Sequence, residues 1–439
     1  MRKILIAIAS LAVVLGGVDL APAAFASSTG GMPDDAFNAA VGTTPDGPCY
    51  TVAVTPDGHI IAGGGFTGYL KEFDSSGVEV TSFTTNVGST LDGYVGNVAV
   101  TPDGHIIVAG GFTGYLKEFD STGTEVTNFA THVNGIFDNS INGIAVTPDG
   151  HIIVGGDFTG FLKEFNSTGT EVTSFATNVG SSLTDTVYSV AMSPDGHIIV
   201  GSYANGRLKE FDSTGTEVTS FATNVGISLT FAVRAVAVTS DGHILAGGDF
   251  AGRLKEFDST GTEVPNFATN MGNALDNNVI NTSVSGIAIT SDDHIIVIGI
   301  FTGYLKELDS SGKEVTSFTD NLGSALNDGA GSVAVTPDGS IVIGGGFITP
   351  GRYLARLFGD SIAASSGPNI PIASLQAYAI GQSDTCGTNV PSSVTLPGLV
   401  NLQNTGWSKS WQQWPGNGAG GYVCTRQPYF TTLGTWAVQ

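Results

Sequence analysis

The sequence predicts an all-β fold, a seven-bladed β-propeller with four-stranded blades, and three observations support this prediction. First, a Thr-Pro-Asp-Gly-His-Ile-Ile motif and its variants place seven aligned aspartates at Asp57, Asp103, Asp149, Asp195, Asp241, Asp292 and Asp338. These aspartates are 46 residues apart, except for one step of 51. Second, each repeat contains four short apolar runs that are separated by turns. Third, the two ends of the repeat array complement each other. Repeats of this length and content are typical of propellers.

The apolar runs of one repeat illustrate the strand assignment. In the third copy the predicted strands are 143–146, 151–155, 160–165 and 171–175. The turn Pro148-Asp149-Gly150 separates the first two, because proline presets φ and glycine accepts a positive φ. Successive apolar residues such as Ile152 and Ile153 indicate a strand that is covered on both faces. No stretch shows the 3.6-residue period of a helix.

The ends of the array predict a closed ring. Residues 35–42 match the fourth-strand segment of the third repeat, around Phe175, whereas the chain leaves the array after a third strand, 353–358. We therefore expect a propeller of residues 34–360 whose last blade is completed by the N-terminal strand 35–42, which removes an exposed sheet edge. A linear β-solenoid is the alternative, but it has no use for complementary ends.

The first residues indicate export. Arg2 and Lys3 precede an uncharged apolar run, Ile4 to Val18, and Ala24-Phe25-Ala26 follows as a small-x-small cleavage pattern. These features are typical of a secretory signal peptide, here residues 1–26, and an N-terminal membrane anchor is the alternative. No later segment is long and apolar enough to span a bilayer, so we expect a secreted, extracellular monomer.

Composition excludes two classes of partner. Lys and Arg number 16 against 39 Asp and Glu, which gives a net charge of −23, and there is no basic block. Nucleic acid and anionic lipid both require clustered basic residues. Hydrophobic residues make up 41% of the chain, which excludes a disordered acidic protein.

The repeat resembles a known family. The third copy shows Gly155, Gly156, Phe158, Phe165, Gly169 and Phe175 at spacings similar to those of the delta-60 repeat family. The resemblance implies a bacterial, exported propeller. It implies no shared catalytic motif, so it brings no active-site residue to this chain. The copies depart from the family in carrying Leu-Lys-Glu where Leu-Ala-Arg is usual, and only Leu354-Ala355-Arg356 keeps the latter.

Two residue patterns suggest metal sites. Six histidines occupy one repeat position, but equivalent atoms of adjacent blades lie too far apart to share a metal ion, so we predict no metal site there. Asp120 to Glu125 is a possible calcium loop, although the same residues form an ordinary hairpin turn. We expect no cofactor other than this possible calcium.

Variation between the copies points to a binding surface. Strands and hairpin turns are nearly identical in all copies, whereas the linkers before the first strands differ. In an up-and-down blade these linkers and the second-to-third turns emerge on one face. Arginines and aromatic residues there suggest an anion-binding or sugar-binding patch, with repeat drift at exposed positions as the alternative. The candidate ligand-binding residues are Arg207, Arg234, Arg253, Tyr94, Tyr188 and Phe231.

The C-terminal region is predicted to be a separate module. A Ser/Pro/Gly linker, 361–371, precedes residues 372–439, in which a disulfide between Cys386 and Cys424 would stabilise a small β-rich domain. The string Trp411-Gln412-Gln413-Trp414-Pro415, followed by Gly420-Gly421-Tyr422-Val423-Cys424-Thr425-Arg426, resembles a small Cys/Trp/Gly tail module of secreted bacterial repeat proteins. Trp411 and Trp414 are candidate ligand-binding residues that would stack on sugars, and they equally suit a small core.

Together these features predict a secreted, non-catalytic binding or scaffold propeller that associates with a cell surface or glycan. Its partner would be a protein, a glycan or a cell-wall ligand. The alternative is an enzyme, a lyase or glycan hydrolase, with its site at the propeller mouth. His132 is the only histidine outside the repeat register, which leaves little for acid–base catalysis.

Overall fold

A computed structural model describes residues 30–203, 207–275 and 282–359, together with five C-terminal strands. The repeats lie within one compact unit, Ser28–Ser361, and the C-terminal strands belong to a second unit. In the first unit seven three-stranded antiparallel sheets each follow the chain order, and one short helix accompanies each sheet.

Each blade contributes three strands in sequence order. The first strands are β1 (Cys49–Val54), β4 (Val95–Val100), β7 (Ile141–Val146), β10 (Val187–Met192), β13 (Val233–Val238), β16 (Ser283–Ile289) and β19 (Ala330–Val335). The second strands are β2 (Ile60–Gly64), β5 (Ile106–Gly110), β8 (Ile152–Gly156), β11 (Ile198–Ser202), β14 (Ile244–Gly248), β17 (Ile295–Ile300) and β20 (Ile341–Gly345). The third strands are β3 (Leu70–Phe73), β6 (Leu116–Phe119), β9 (Leu162–Phe165), β12 (Leu208–Phe211), β15 (Leu254–Phe257), β18 (Leu305–Leu308) and β21 (Leu354–Leu357).

The seven helices are equally short. They are α1 (Asp35–Val41), α2 (Thr81–Val87), α3 (Thr127–Val133), α4 (Thr173–Val179), α5 (Thr219–Val225), α6 (Pro265–Met271) and α7 (Thr316–Leu322). None of these helices, the only ones in the described ranges, has the length and apolar character to cross a membrane.

The first strands form a closed ring around the axis. Each contacts the first strands of both neighbouring blades, and β19 of the last blade contacts β1 of the first. The second strands are almost wholly buried, as the run Ile152-Ile153-Val154 shows. Burial on both faces explains their uninterrupted apolar sequence. The seven-bladed, mainly β architecture that the repeats predict is therefore confirmed.

The predicted fourth strands are wrong. In the third blade only Glu171 pairs with Phe165 as an isolated bridge, and the chain then turns into α4. Phe175 and Val179, four residues apart, are both buried on one side of this helix. Gly180 ends it with a φ of 51°, and its N–H bonds to the carbonyl of Ala176. A strand would also have buried Thr177 on the face of Phe175 and Val179, whereas the helix leaves Thr177 exposed.

The N-terminal segment completes the last blade, but as a helix. Pro33 forms an isolated bridge with Leu357, and this bridge is equivalent to the one between Glu79 and Phe73 in the first blade. Helix α1 then packs on β21. Asp34 caps this helix by accepting a bond of 3.1 Å from the N–H of Phe37. The expected strand 35–42 is thus corrected to a bridge and the helix Asp35–Val41.

The C-terminal unit contains five described strands. β22 (Ala377–Ile380), β25 (Trp407–Gln413) and β26 (Gly420–Arg426) form an antiparallel sheet in the order β22-β26-β25. β23 (Ser393–Leu396) pairs with β24 (Leu399–Gln403). The small disulfide-stabilised domain expected at residues 372–439 stays a prediction.

Candidate functional site

The propeller has two different faces. On one, which we call the turn face, lie the Pro-Asp-Gly turns that join first to second strands. On the other, the variable face, the linkers before the first strands meet the turns that join second to third strands. Asp46 of such a linker accepts bonds of 2.8 and 2.7 Å from the N–H and hydroxyl of Thr67, which lies in such a turn. Asp92 with Thr113 and Asp138 with Thr159 repeat this contact.

The turn face carries six histidine–glutamate pairs. In the first blade Nδ1 of His59 lies 2.7 Å from Oε1 of Glu72 on the neighbouring strand. The other pairs have the same geometry at 2.6 to 2.7 Å: His105–Glu118, His151–Glu164, His197–Glu210, His243–Glu256 and His294–Glu307. These histidines therefore stabilise their own blades. Among the described residues no three His, Cys, Asp or Glu side chains are grouped to hold a metal ion.

The aspartates that suggested calcium loops have other partners. One carboxylate oxygen of Asp120 accepts bonds from the N–H and hydroxyl of Thr122 and from the N–H of Thr124, at 2.6 to 3.0 Å. This is the ordinary Asx-type turn. A cavity of about 550 Å³ on the turn face is lined by valine, isoleucine, threonine, serine and proline, so its lining offers no ionisable group.

The variable face is built on a β-bulge that recurs in every blade. The pairing of first with second strand slips by one residue, for example between Cys49 and Thr51, so one residue per blade is unpaired. Bulges re-aim side chains and recur beside functional sites. The bulged residues are Tyr50, Gly96, Asn142, Tyr188, Arg234, Ser285 and Gly331. They are tyrosine in two blades, glycine in two, and asparagine, arginine and serine in one blade each.

Tyr50 and Tyr94 form a first aromatic pair on this face, between blades 1 and 2. Their ring centroids lie 5.9 Å apart with an interplanar angle of 88°, and the residues are 44% and 47% exposed. Gly111 leaves space for the Tyr94 ring, because a Cβ at this position would lie 2.3 Å from Cε1 of the ring. Gly65 likewise leaves space for Tyr50, because a Cβ at this position would lie 2.9 Å from the tyrosine hydroxyl oxygen.

Tyr188 and Tyr203 form a second aromatic pair, on blade 4, with centroids 6.3 Å apart. Arg234 of the next blade lies over the Tyr188 ring at 5.3 Å. Its Nε is 2.8 and 2.9 Å from the carboxylate oxygens of Asp249, which neutralises its charge. This bond to Asp249 raises the pKa of Arg234, whereas burial raises the pKa of Tyr188.

The structure places the other predicted residues of the patch nearby but in different roles. Nη1 of Arg253 donates to the carbonyls of Asp249 and Phe250 at 2.6 and 3.2 Å. Nη1 of Arg207 donates to the carbonyl of Leu229 at 3.1 Å. Both guanidinium groups thus donate hydrogen bonds to backbone carbonyls. Phe231 is 62% exposed in the linker of blade 5.

Blade 3 supplies polar groups to the variable face. The Asp157 carboxylate accepts bonds from the Asn139 amide at 2.9 Å and from the Thr186 hydroxyl of the next blade at 2.7 Å. Asn142 donates to the carbonyl of Val187 at 3.2 Å and so also bridges to blade 4.

Three carboxylates of the variable face have lowered pKa values. Bonds from Thr67 lower the pKa of Asp46, and bonds from Thr113 lower the pKa of Asp92. The hydroxyl and N–H of Thr159 do the same for the pKa of Asp138. These three carboxylates therefore carry negative charge on this face at neutral pH. The charge of Arg234 does not offset them, because Arg234 is paired with Asp249.

Sequence reasoning found part of this face. It identified Tyr94, Tyr188, Phe231 and the arginines, but missed Tyr50 and Tyr203. The signal was present, because Tyr50 lies seven residues before the motif aspartate, at one of the positions that vary between copies. In the tail, Trp414, Cys386 and the side chains of Trp411 and Cys424 lie outside the described residues, so the predicted disulfide and tail site stay predictions.

Comparisons with known proteins agree with the propeller fold. The family model described as "Domain of unknown function (DUF5122) beta-propeller" matches residues 147–170, and the WD domain, G-beta repeat model matches residues 169–212. No curated protein matches the sequence. The delta-60 resemblance and that of the tail module stay predictions.

Solved structures similar to the chain are propellers with diverse roles. A streptogramin B lyase is 14% identical with a TM-score of 0.50, over 72% of this chain and 94% of its own. The extracellular domain of a hybrid two-component system from B. thetaiotaomicron is 14% identical with a TM-score of 0.50, over 72% of this chain and 38% of its own. The WD40 β-propeller domain of Doa1 is 14% identical with a TM-score of 0.48, over 71% and 92%. At such identities the likeness shows the fold alone.

Proposed function

We propose that this protein is an exported, non-catalytic binding propeller whose ligand, a glycan, cell-wall component or protein, docks on the variable face. One observation carries the proposal: residue variation between otherwise identical blades is concentrated there. A surface that is not maintained by the repeat architecture has been free to acquire a ligand-specific set of side chains. The predicted leader, residues 1–26, and the similarity to an extracellular domain support export.

The distribution of exposed apolar side chains supports the same face. Among the described residues, three large exposed ones lie elsewhere: Met32, Val78 and Phe358. Those on the variable face are Tyr50, Tyr94, Tyr203, Ile227, Phe231, Ile300 and Ile348. Tyrosine and phenylalanine are enriched in protein recognition surfaces because a rigid ring buries a large area at low entropic cost.

The residue types on this face favour binding over the alternative enzyme. Six of the seven histidines pair with glutamates on the turn face, and Nδ1 of His132 lies 2.8 Å from the carbonyl of Thr168 in the next blade. Acid–base catalysis at neutral pH usually employs a histidine or a carboxylate with a raised pKa. The variable-face carboxylates Asp46, Asp92 and Asp138 have lowered pKa values instead.

A glycan, cell-wall and peptide array probed with the full chain tests the proposal. We expect at least one bound class, and we expect Tyr203→Ala to weaken that binding. Val78→Ala is the matched control, because Val78 is 52% exposed and Tyr203 54% exposed, on different parts of the blade. Equal binding by both variants and the unmodified chain would refute the variable face as the ligand site. The variant Trp411→Ala measures the contribution of the C-terminal module.

A further inference from the structure

We propose that the variable face binds an uncharged, linear oligosaccharide that crosses the propeller axis. One part of the sugar chain lies on the first aromatic pair, Tyr50 and Tyr94, and another part on the second, Tyr188 and Tyr203. The inference rests on the proposed binding function and specifies the ligand class of the same face.

The two aromatic pairs lie on opposite sides of the axis. Tyr50 and Tyr188 occupy the same bulge position in blades 1 and 4, which are three blades apart in a closed ring of seven. In each pair the rings are close to perpendicular, at 88° and 78°. One ring edge thus supports the other ring, and Tyr50, Tyr94 and Tyr203 are about half exposed. Such surfaces suit stacking against the apolar side of a pyranose.

Three bulge positions between the pairs carry small residues and leave room for a ligand: Gly96 in blade 2, Ser285 in blade 6 and Gly331 in blade 7. The larger Arg234 of blade 5 lies over the Tyr188 ring of the second pair. On the remaining side, blade 3 presents Asn142 and the bonded group of Asn139 and Asp157. An extended ligand therefore meets an aromatic support at each end with small and hydrogen-bonding side chains between. This alternation matches a sugar chain, which offers both apolar ring faces and hydroxyl groups.

The net charge of the face favours an uncharged chain over an anionic one. Arg234 is held by Asp249, and Arg207 and Arg253 donate to backbone carbonyls. The carboxylates of Asp46 and Asp92 remain ionised because bonds from threonines lower their pKa values. Arg207, Arg253 and the exposed Arg352 keep their positive charge, but the seven aspartates that the structure describes in the linkers and turns of this face outnumber its four arginines, so an acidic sugar would meet net repulsion. An uncharged sugar has no such cost.

Calorimetric titration of the full chain tests the inference. The probes are β-1,4-linked glucose and N-acetylglucosamine oligomers from dimer to hexamer, with oligogalacturonates of equal length as the anionic comparison. We expect the affinity for one uncharged series to rise about tenfold or more from dimer to hexamer, because two linked contacts act together. Tyr94→Ala and Tyr203→Ala should each remove this gain, and Val78→Ala should keep it. The oligogalacturonates should bind more weakly at every length.

The outcomes separate this inference from the proposed function. Affinity that does not depend on length, loss of the gain in only one of the two tyrosine variants, preference for the anionic series, or no binding of either uncharged series would overturn it. If the chain binds a peptide of the array and Tyr203→Ala weakens that binding, the proposed function remains intact and the sugar assignment is overturned. If no bound ligand of any class responds to Tyr203→Ala, the proposed function itself fails.

Discussion

The contact that closes the ring allows a quantitative test of the fold. Nε and Nη2 of Arg356 on the last third strand lie 2.9 and 2.6 Å from one carboxylate oxygen of Asp34. The guanidinium also stands 4.4 Å from the Phe37 ring centroid and donates to the carbonyl of Ser75 in the first blade. One side chain thereby joins the N-terminal helix, the last blade and the first.

The cost of removing the carboxylate follows from these contacts. Breaking a fully buried ion pair costs about 3–5 kcal/mol, but the Arg356 side chain is 15% exposed and keeps its bond to Ser75. We therefore expect Asp34→Asn to lower the free energy of unfolding by about 2–3 kcal/mol. Asp34→Ala also removes the helix cap to Phe37, which adds about 1 kcal/mol.

Urea unfolding followed by circular dichroism measures both losses, because the four tryptophans all lie at positions 407–436, outside the propeller. The control is Glu79→Gln, which removes the ion pair with Lys71, 2.7 Å apart, within a single blade. Those side chains are 12% and 21% exposed, so we expect a smaller loss of about 1 kcal/mol. An Asp34→Ala variant that loses no more stability than Glu79→Gln would refute the reasoning that this contact closes the ring.

Three further predictions concern single residues. Burial lowers the pKa of His294 and the bond to Glu307 raises it, and the net shift is upward from 6.5. The stabilisation that this histidine gives the folded protein is therefore complete below pH 6.5 and is lost as the pH rises through the folded pKa. The urea midpoint of unfolding should therefore rise less between about pH 8 and about pH 6 in His294→Gln than in the unmodified chain. An equal rise in both proteins would contradict the pairing of His294 with Glu307. Gly111→Ala should displace the Tyr94 ring and weaken ligand binding several-fold with little loss of stability, which titration and melting curves together would check. Burial raises the pKa of Cys49 to about 12, so mass spectrometry should find this thiol unreactive until urea unfolds the chain, and rapid alkylation of the native protein would contradict its burial.

The sequence predicts the blades well because their local signals are strong. Pro148-Asp149-Gly150 specifies a turn by itself, and continuous apolar runs such as Ile152 to Val154 specify buried strands. The helices escaped prediction because seven residues such as Thr173 to Val179 are too few to show a 3.6-residue period. The spacing of Phe175 and Val179 suits a strand as well as a helix, and only the polar Thr177 between them and the following Gly180 favour a helix.

The side-chain partners were less predictable, since they depend on register between strands. His59 and Glu72 are thirteen residues apart and meet only because β2 pairs with β3 in one alignment. A signal exists in the last repeat, where Ser340 and Arg356 replace the histidine and the glutamate together. The second aromatic pair likewise depends on the bulge that turns Tyr188 toward Tyr203.

Hydrogen exchange with and without a saturating ligand from the array tests the central claim, the variable face as the ligand site, most directly. We predict that residues 92–97, 185–189 and 231–235 exchange more slowly in the complex, whereas the Pro-Asp-Gly turns exchange at the same rate. These segments carry Tyr94, Tyr188 and Arg234. Protection confined to the turn face or to residues 372–439, with no change in these three segments, would contradict the claim.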